Sequence, residues 1–221
     1  MTKIIPLPLR MSSAYLLENR NGLYLVDAGS PGDERRIMKS IQQRGKPLRI
    51  IFITHAHFDH YGAAAAIRRQ TGASIAIHSA DVQAMAEGKT PIRMARGRGR
   101  LTLALMPLFG PWMPKIPTRT DLPLQDGDRL DSFGLDAALL HTPGHTPGSS
   151  CLIIDKTLAF AGDLVIANQR PHVQRFYADD WSQITTSLAR LQALNPELVY
   201  TGHGIKPINA DTLQKLRKSG M

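Results

Sequence analysis

The chain of 221 residues contains one cysteine, Cys151. It cannot form an intramolecular disulfide, so a disulfide-stapled secreted scaffold is excluded. A reducing compartment suits such a chain, and the expected localisation is cytoplasmic. No long hydrophobic run is present: the longest, Leu101 to Phe109, is interrupted by Thr102 and Pro107. It falls well short of the roughly 20 residues of a membrane-spanning helix. The first ten residues, MTKIIPLPLR, hold two prolines and do not read as a signal peptide. Acids are absent from Gly88 to Thr120, where Lys89, Arg93, Arg96, Arg98, Arg100, Lys115 and Arg119 concentrate most of the formal charge of +9. The basic character is therefore local. Without interleaved stacking aromatics or a known module, nucleic acid is not the expected partner.

A content of 43% hydrophobic and 20% charged residues is an ordinary globular mix, which excludes disorder, collagen-like repeats and coiled coil as the main theme. Apolar runs at Ala14–Leu17 and Leu23–Val26 flank Asn19-Arg20-Asn21-Gly22, a hairpin signal. Further strands are expected at Arg49–Thr54, Ser74–Ile77, Leu135–Leu140, Ser150–Ile154, Thr157–Ala161 and Glu197–Tyr200. Helical patterns cover Glu34–Arg44, Gly62–Gln70, Ala80–Glu87, Trp181–Leu194 and Ala210–Lys218. This alternation predicts sheets with helices on their outer faces, in one α/β domain over residues 1–221. The stretch at about 88–120, with four prolines before Pro117 and the sequence Gly97-Arg98-Gly99-Arg100, breaks the alternation and reads as an insertion.

Eight histidines are many beside six phenylalanines and five tyrosines, and their placement is uneven. Thr54-His55-Ala56-His57-Phe58-Asp59-His60 follows directly on an expected strand. Alternate residues past a strand end point the same way, so His55 and His57 can share one metal ion. Asp59 and His60 lie on the following turn and can address a second. His145 in Thr142-Pro143-Gly144-His145-Thr146-Pro147-Gly148, Asp163 in Gly162-Asp163 and His203 in Gly202-His203-Gly204 also follow expected strands. Together they read as one site. Imidazole and carboxylate donors suit zinc, manganese or iron rather than calcium.

These segments, in this order, resemble the metallo-β-lactamase superfamily, and the resemblance runs from about Asp27 to about Gly204. It implies a four-layer αββα sandwich with a dinuclear metal site at one sheet edge. By the same resemblance His55, His57 and His145 hold the first ion, Asp59, His60 and His203 hold the second, and Asp163 bridges them. Asp27 matches a structural position that supports the metal-site loop. A water held between two divalent ions ionises near neutral pH and attacks a carbonyl or phosphoryl centre, with Asp59 as a proton acceptor or shuttle. The expected cofactors are two divalent ions, Zn2+ first, with Mn2+ or Fe2+ also compatible.

The chain also departs from relatives. Tyr61-Gly62-Ala63 stands where many members have Gly-Gly, so Tyr61 either packs or faces the pocket. Asp163 stands where one class of true β-lactamases has a cysteine ligand, which disfavours penicillin hydrolysis. The chain ends eighteen residues after His203, without the C-terminal helical region that glyoxalase II enzymes use for glutathione. Asn168, Arg170 and His172 follow Asp163 closely and are expected on a loop near the site, as substrate contacts or as plain loop. His78 reads as structural or solvent-facing, and His141 as a supporting residue rather than a ligand. The basic stretch has three readings: a solvated loop; a lid using Met94, Leu103, Met106, Phe109 and Trp112; or an interfacial segment at 93–119 that meets a phospholipid surface. A homodimer contact is compatible with the first two.

The expected function is metal-dependent hydrolysis of a small-molecule ester, thioester or lactone, by analogy with compact relatives. Two alternatives stand beside it: a phosphodiesterase for nucleotide, lipid or RNA, and a mononuclear-iron redox enzyme of the persulfide dioxygenase kind. The presence of His60 and His203 argues against the second.

Overall fold

The structure, a computed structural model, describes residues 2–109, 115–168 and 170–217, with backbone alone over 106–109. Strands β1 (Lys3–Pro8), β2 (Ser13–Asn19) and β3 (Gly22–Val26) open the chain, followed by helix α1 (Glu34–Gln42) and β4 (Leu48–Ile53). Next come α2 (Phe58–Tyr61), α3 (Ala64–Thr71), β5 (Ser74–His78) and α4 (Val82–Ala86). The basic stretch holds β6 (Met94–Ala95) and α5 (Gly99–Phe109). After β7 (Leu122–Leu124), strands β8 (Ala137–His141), β9 (Ser150–Ile154) and β10 (Leu158–Phe160) follow. Short strands β11 (Val165–Ile166), β12 (His172–Val173) and β13 (Tyr177–Ala178) lead to α6 (Trp181–Leu194), β14 (Leu198–Tyr200), β15 (Ile208–Asn209) and α7 (Ala210–Lys215).

Two sheets form, in the orders β1-β2-β3-β4-β5-β7 and β15-β14-β10-β9-β8. Side chains alternate across a strand, so each sheet presents two apolar faces. Tyr24, Val26, Ile50 and Phe52 of the first sheet meet Leu139, Leu152, Ile154 and Phe160 of the second in a core between the sheets. The alternate residues Leu23, Leu25, Ile51, Ile53, Ile75 and Ile77 pack on Ile37, Met38 and Ile41 of α1, Ile67 of α3 and Met85 of α4. On the far side, Cys151, Ala159 and Val199 pack on Ile184, Leu188 and Leu191 of α6 and Leu213 of α7. Three cores between four layers make the αββα sandwich. No helix among the described residues is long and apolar enough to cross a membrane.

Three local expectations are corrected. Lys3–Pro8 is a strand, despite Pro6 and Pro8. It is the edge of the first sheet, and two prolines two residues apart leave their missing N–H groups on the free side. The helix expected at Gly62–Gln70 is α3, starting at Ala64, and a separate short helix, α2, precedes it with Gly62 and Ala63 between them. The basic stretch, read without regular structure, carries the eleven-residue α5, whose Pro107 falls only in the last turn.

Strand direction decides where the site lies. β8 and β10 each run antiparallel to β9, and β14 runs parallel to β10. The C-terminal ends of β8, β10 and β14 therefore share one edge of their sheet. The end of β4 is tied to it where the Ser150 N–H donates to the Thr54 carbonyl at 2.9 Å.

Cys151 is fully buried beneath α6, and burial pushes its thiol up to about 12. A thiol-specific disulfide reagent at pH 8 should find no reactive group in the folded protein and one equivalent after denaturation. Stoichiometric labelling of the folded protein would contradict this packing.

Candidate metal centre

Four of the cluster's histidines, His55, His57, His60 and His145, have one ring nitrogen committed, and the partner decides which. The His57 Nε2–H donates to the Pro91 carbonyl at 2.9 Å. The His145 Nδ1–H donates to the Tyr177 carbonyl at 3.0 Å. A carbonyl can only accept, so each ring keeps its lone pair on the other nitrogen. Those nitrogens, His57 Nδ1 and His145 Nε2, face each other at 3.1 Å. Two lone pairs at that distance repel unless a cation lies between them.

His55 and His60 follow the same rule. Thr54 Oγ1 donates to the Asp27 carboxylate, at 3.0 and 2.9 Å to its two oxygens. It thereby accepts from His55 Nδ1 at 3.0 Å and leaves His55 Nε2 free. His60 Nδ1 donates to Asp27 Oδ2 at 2.8 Å. His55 Nε2, His60 Nε2 and Asp163 Oδ1 are buried with no hydrogen-bond partner. An orphaned buried polar atom costs about 1–3 kcal/mol, so three in one place mark a position for another charged group.

The ligand atoms group as His55, His57 and His145; as Asp59, His60 and His203; and, between these, as His55, His60 and Asp163. Asp163 reaches both sides: its Oδ1 lies 3.4 Å from His60 Nε2, and its Oδ2 lies 3.5 Å from His145 Nε2 and 3.2 Å from His203 Nε2. This donor set fits a pair of divalent transition-metal ions, with imidazoles oriented by carbonyl and carboxylate partners as metal-binding histidines require. Without ions, the cluster keeps positive charge by holding protons. Burial works against a charge on His60, but Asp27, Asp59 and Asp163 outweigh it and hold its pKa up at about 10. Asp163 raises His203 as well. Burial drives His145 down to about 3, with His57 adding to the effect, and lowers His55 and His57. Burial would raise Asp163, yet His203 and His60 take it well below the usual carboxylate range. Cations entering here would displace the proton held on His60.

Two further buried acids hold the ligand loops. Asp27 sits in the left-handed region at φ 58°, a conformation that costs a non-glycine residue roughly 1–2 kcal/mol. Its carboxylate compensates by binding the Thr54 N–H at 2.8 Å in addition to Thr54 Oγ1 and His60. Asp81, fully buried, accepts from the Ala56 N–H at 2.8 Å, Thr146 Oγ1 at 2.7 Å and the Gly148 N–H at 2.7 Å. It clamps the loop of His55 and His57 to the loop of His145. Gly202 also has no substitute: a Cβ there would collide with Asp163 Oδ1 and the His60 ring.

The structure brings all seven expected ligand residues together, and it places the four candidate substrate contacts elsewhere. Tyr61 is fully buried in the core beneath the first sheet, and its hydroxyl donates to the Lys89 carbonyl at 3.3 Å. Asn168 and Arg170 are exposed. His172 lies in β12, with its ring edge-on to Phe176. None of the four lines the cavity above the cluster. That cavity has a volume of about 520 Å³, and its floor is His57, Asp59, His145, Asp163 and His203. Its walls, among them Phe58, Thr90, Ile92, Leu101, Leu105 and Tyr177, are largely new to the sequence reading. Of the lid residues expected there, Met94 pairs with Ala178 and Leu103 is not on the cavity wall. The side chains of Met106 and Phe109, and Trp112 altogether, lie outside the described residues. His78 and His141 stack at 3.8 Å, and His141 Nε2 holds the Pro147 carbonyl of the His145 loop at 2.8 Å.

The sequence profile of the metallo-beta-lactamase superfamily matches residues 7–203. The chain is 29% identical to "Probable metallo-hydrolase YflN" of Bacillus subtilis (strain 168), over 90% of this chain and 83% of that protein. It is 26% identical to hydroxyacylglutathione hydrolase GloC of Haemophilus influenzae, over 91% of this chain and 90% of that protein. A hydroxyacylglutathione hydrolase of Pseudomonas aeruginosa is 32% identical over 65% of this chain, which is 42% of that protein. Among solved structures, TTHA1623 in a di-iron-bound form superposes with a TM-score of 0.71 at 27% identity, over 97% of this chain and 98% of that one. The BLEG-1 B3 metallo-beta-lactamase superposes at 0.74 with 24% identity, over 96% and 95%, a likeness of fold.

Replacing Asp81 with Asn turns one acceptor oxygen into a donor that faces donors. Metal affinity measured by competition with a chromogenic chelator should fall about 10- to 100-fold, with an unchanged circular dichroism spectrum. Unaltered affinity would show that the clamp does not orient the ligands.

Proposed function

This chain belongs to the metallo-beta-lactamase superfamily, and from that premise we propose that it is a metal-dependent hydrolase of a small carbonyl ester, thioester or lactone. The facing lone pairs of His57 Nδ1 and His145 Nε2, 3.1 Å apart at the cavity floor, carry the reading. His55, His57 and His145 would hold one divalent ion and Asp59, His60 and His203 a second, with Asp163 shared. Zinc is the first candidate, and the di-iron form of TTHA1623 keeps iron beside it. Two such ions supply a nucleophile from water near neutral pH and polarise the carbonyl under attack.

The chain's own residues supply the rest. Asp59 lies on the cavity floor, and Ser12 Oγ holds its backbone carbonyl. Its carboxylate can take the proton of the nucleophile and pass it to the departing oxygen or sulfur. Phe58, Ile92 and Tyr177 keep water from the carbonyl and strengthen the electrostatics beneath it. The names of the hydroxyacylglutathione hydrolases support a thioester or ester as the scissile bond. No Lys or Arg lines the cavity among the described residues, which weighs against a phosphodiester that would need cations beyond the metals. The grouping of Asp59, His60 and His203 favours two metal positions over one iron.

The test joins metal content to turnover. Wild type purified without a chelating tag should carry about two zinc, manganese or iron ions per chain and hydrolyse an activated ester. Asp163→Ala should lose most bound metal, and its turnover should drop by more than the about 10- to 100-fold typical of losing an outer partner. Full metal occupancy in Asp163→Ala would overturn the shared-ligand assignment.

A further inference from the structure

We propose that the substrate carries a neutral, apolar acyl chain and that α5 is the wall that selects it; this rests on the hydrolase reading above. Leu101 and Leu105 stand one turn apart on α5, on the same face, and both line the cavity. Met11 lines it as well. Leu101 is 68% exposed, Met11 53% and Leu105 40%, so this cavity gathers three of the six large apolar side chains left open to water among the described residues. Such a concentration at the mouth of a polar floor marks a ligand site rather than unused surface.

Two arginines of the same stretch, Arg93 and Arg96, are engaged elsewhere. Arg93 pairs with Asp179 at 3.0 Å, and the Arg96 guanidinium lies 4.4 Å from the Trp181 ring centroid. The described wall thus offers hydrocarbon, Thr90 and Thr102, and no cation. A glutathione leaving group, with two carboxylates, would lose water here without gaining a partner. An alkyl or aryl chain would gain by burial, and about 520 Å³ lies within the range of small-molecule sites, roughly 300–1,000 Å³. The scissile carbonyl then rests at Asp163 and His203 while the chain runs along Ile92, Leu101 and Leu105.

Two series on the metal-loaded protein test this. The first is kcat/KM for p-nitrophenyl acetate, butyrate, hexanoate and octanoate, with S-lactoylglutathione beside them. The second is the Kd of the matching alkyl hydroxamic acids by calorimetry, which does not depend on turnover. Both should improve along the series, by up to about fourfold per methylene and so up to about 15-fold per two-carbon step, and S-lactoylglutathione should be a poorer substrate than the octanoyl ester. Leu105→Asp, or Leu105→Ser should the first variant fail to fold, should flatten both series. A flat or falling series in wild type, or a preference for the glutathione thioester, would overturn the proposal while hydrolysis itself stands. Metal-loaded protein that cleaves no ester or thioester would instead sink the hydrolase reading, and the hydroxamate series would still decide whether the cavity takes an apolar chain.

Discussion

The rest of the structure turns on two backbone carbonyls. Pro91 and Tyr177 each take the N–H of one histidine, and by doing so they set two imidazole lone pairs against each other at 3.1 Å. The two carbonyls belong to segments that pair with each other, since β6 and β13 form a short antiparallel ribbon. The stretch from Lys89 is fastened to the ligand loop at three successive residues: Tyr61 Oη to the Lys89 carbonyl, the Phe58 N–H to Thr90 Oγ1 and His57 to Pro91. The basic stretch is thus part of the metal centre's frame before α5 becomes part of the cavity wall.

Buried carboxylates complete that frame, each with a different task. Asp27 accepts a strained backbone in order to orient His60 and, through Thr54, His55. Asp81 has no reach into the cavity and serves only to join two loops from different sheets. Asp163 is the one with an oxygen left unsatisfied. Tyr15 adds a tie from the first sheet, its hydroxyl shared between the Thr201 and Gly204 carbonyls at 2.8 Å each, so the His203 loop cannot drift from the others. A fold of two sheets can concentrate this much charge at one edge because the loops of His55, His57, His145 and His203 are tied across from one sheet to the other.

Much of this was legible in the sequence. Sheets with helices on their outer faces follow from the alternation of strand and helix patterns, and the four-layer αββα order was implied by the family resemblance. The ligands were legible because histidine and aspartate at strand ends have few other reasons to cluster. The anchors were not. Pro91 and Tyr177 act through carbonyls, which every residue carries and no side chain announces. Asp81 looks in sequence like any acid at a helix start. Tyr61 is adjacent to the ligand motif yet points into the core, because the helical turn after His60 rotates it away from the cavity. The cavity wall stayed hidden because Pro107 and the glycines around Arg98 mask a helix that only its backbone reveals.

On the proposed function, this frame would hold two cations with Asp163 between them. Anomalous X-ray diffraction at the zinc, iron and manganese edges, on crystals grown without chelators, tests it most directly. Two peaks are expected on either side of the Asp163 carboxylate, about 3.5–4 Å apart, the first beside His57 Nδ1 and His145 Nε2. A single peak, or none within reach of those nitrogens, would contradict it.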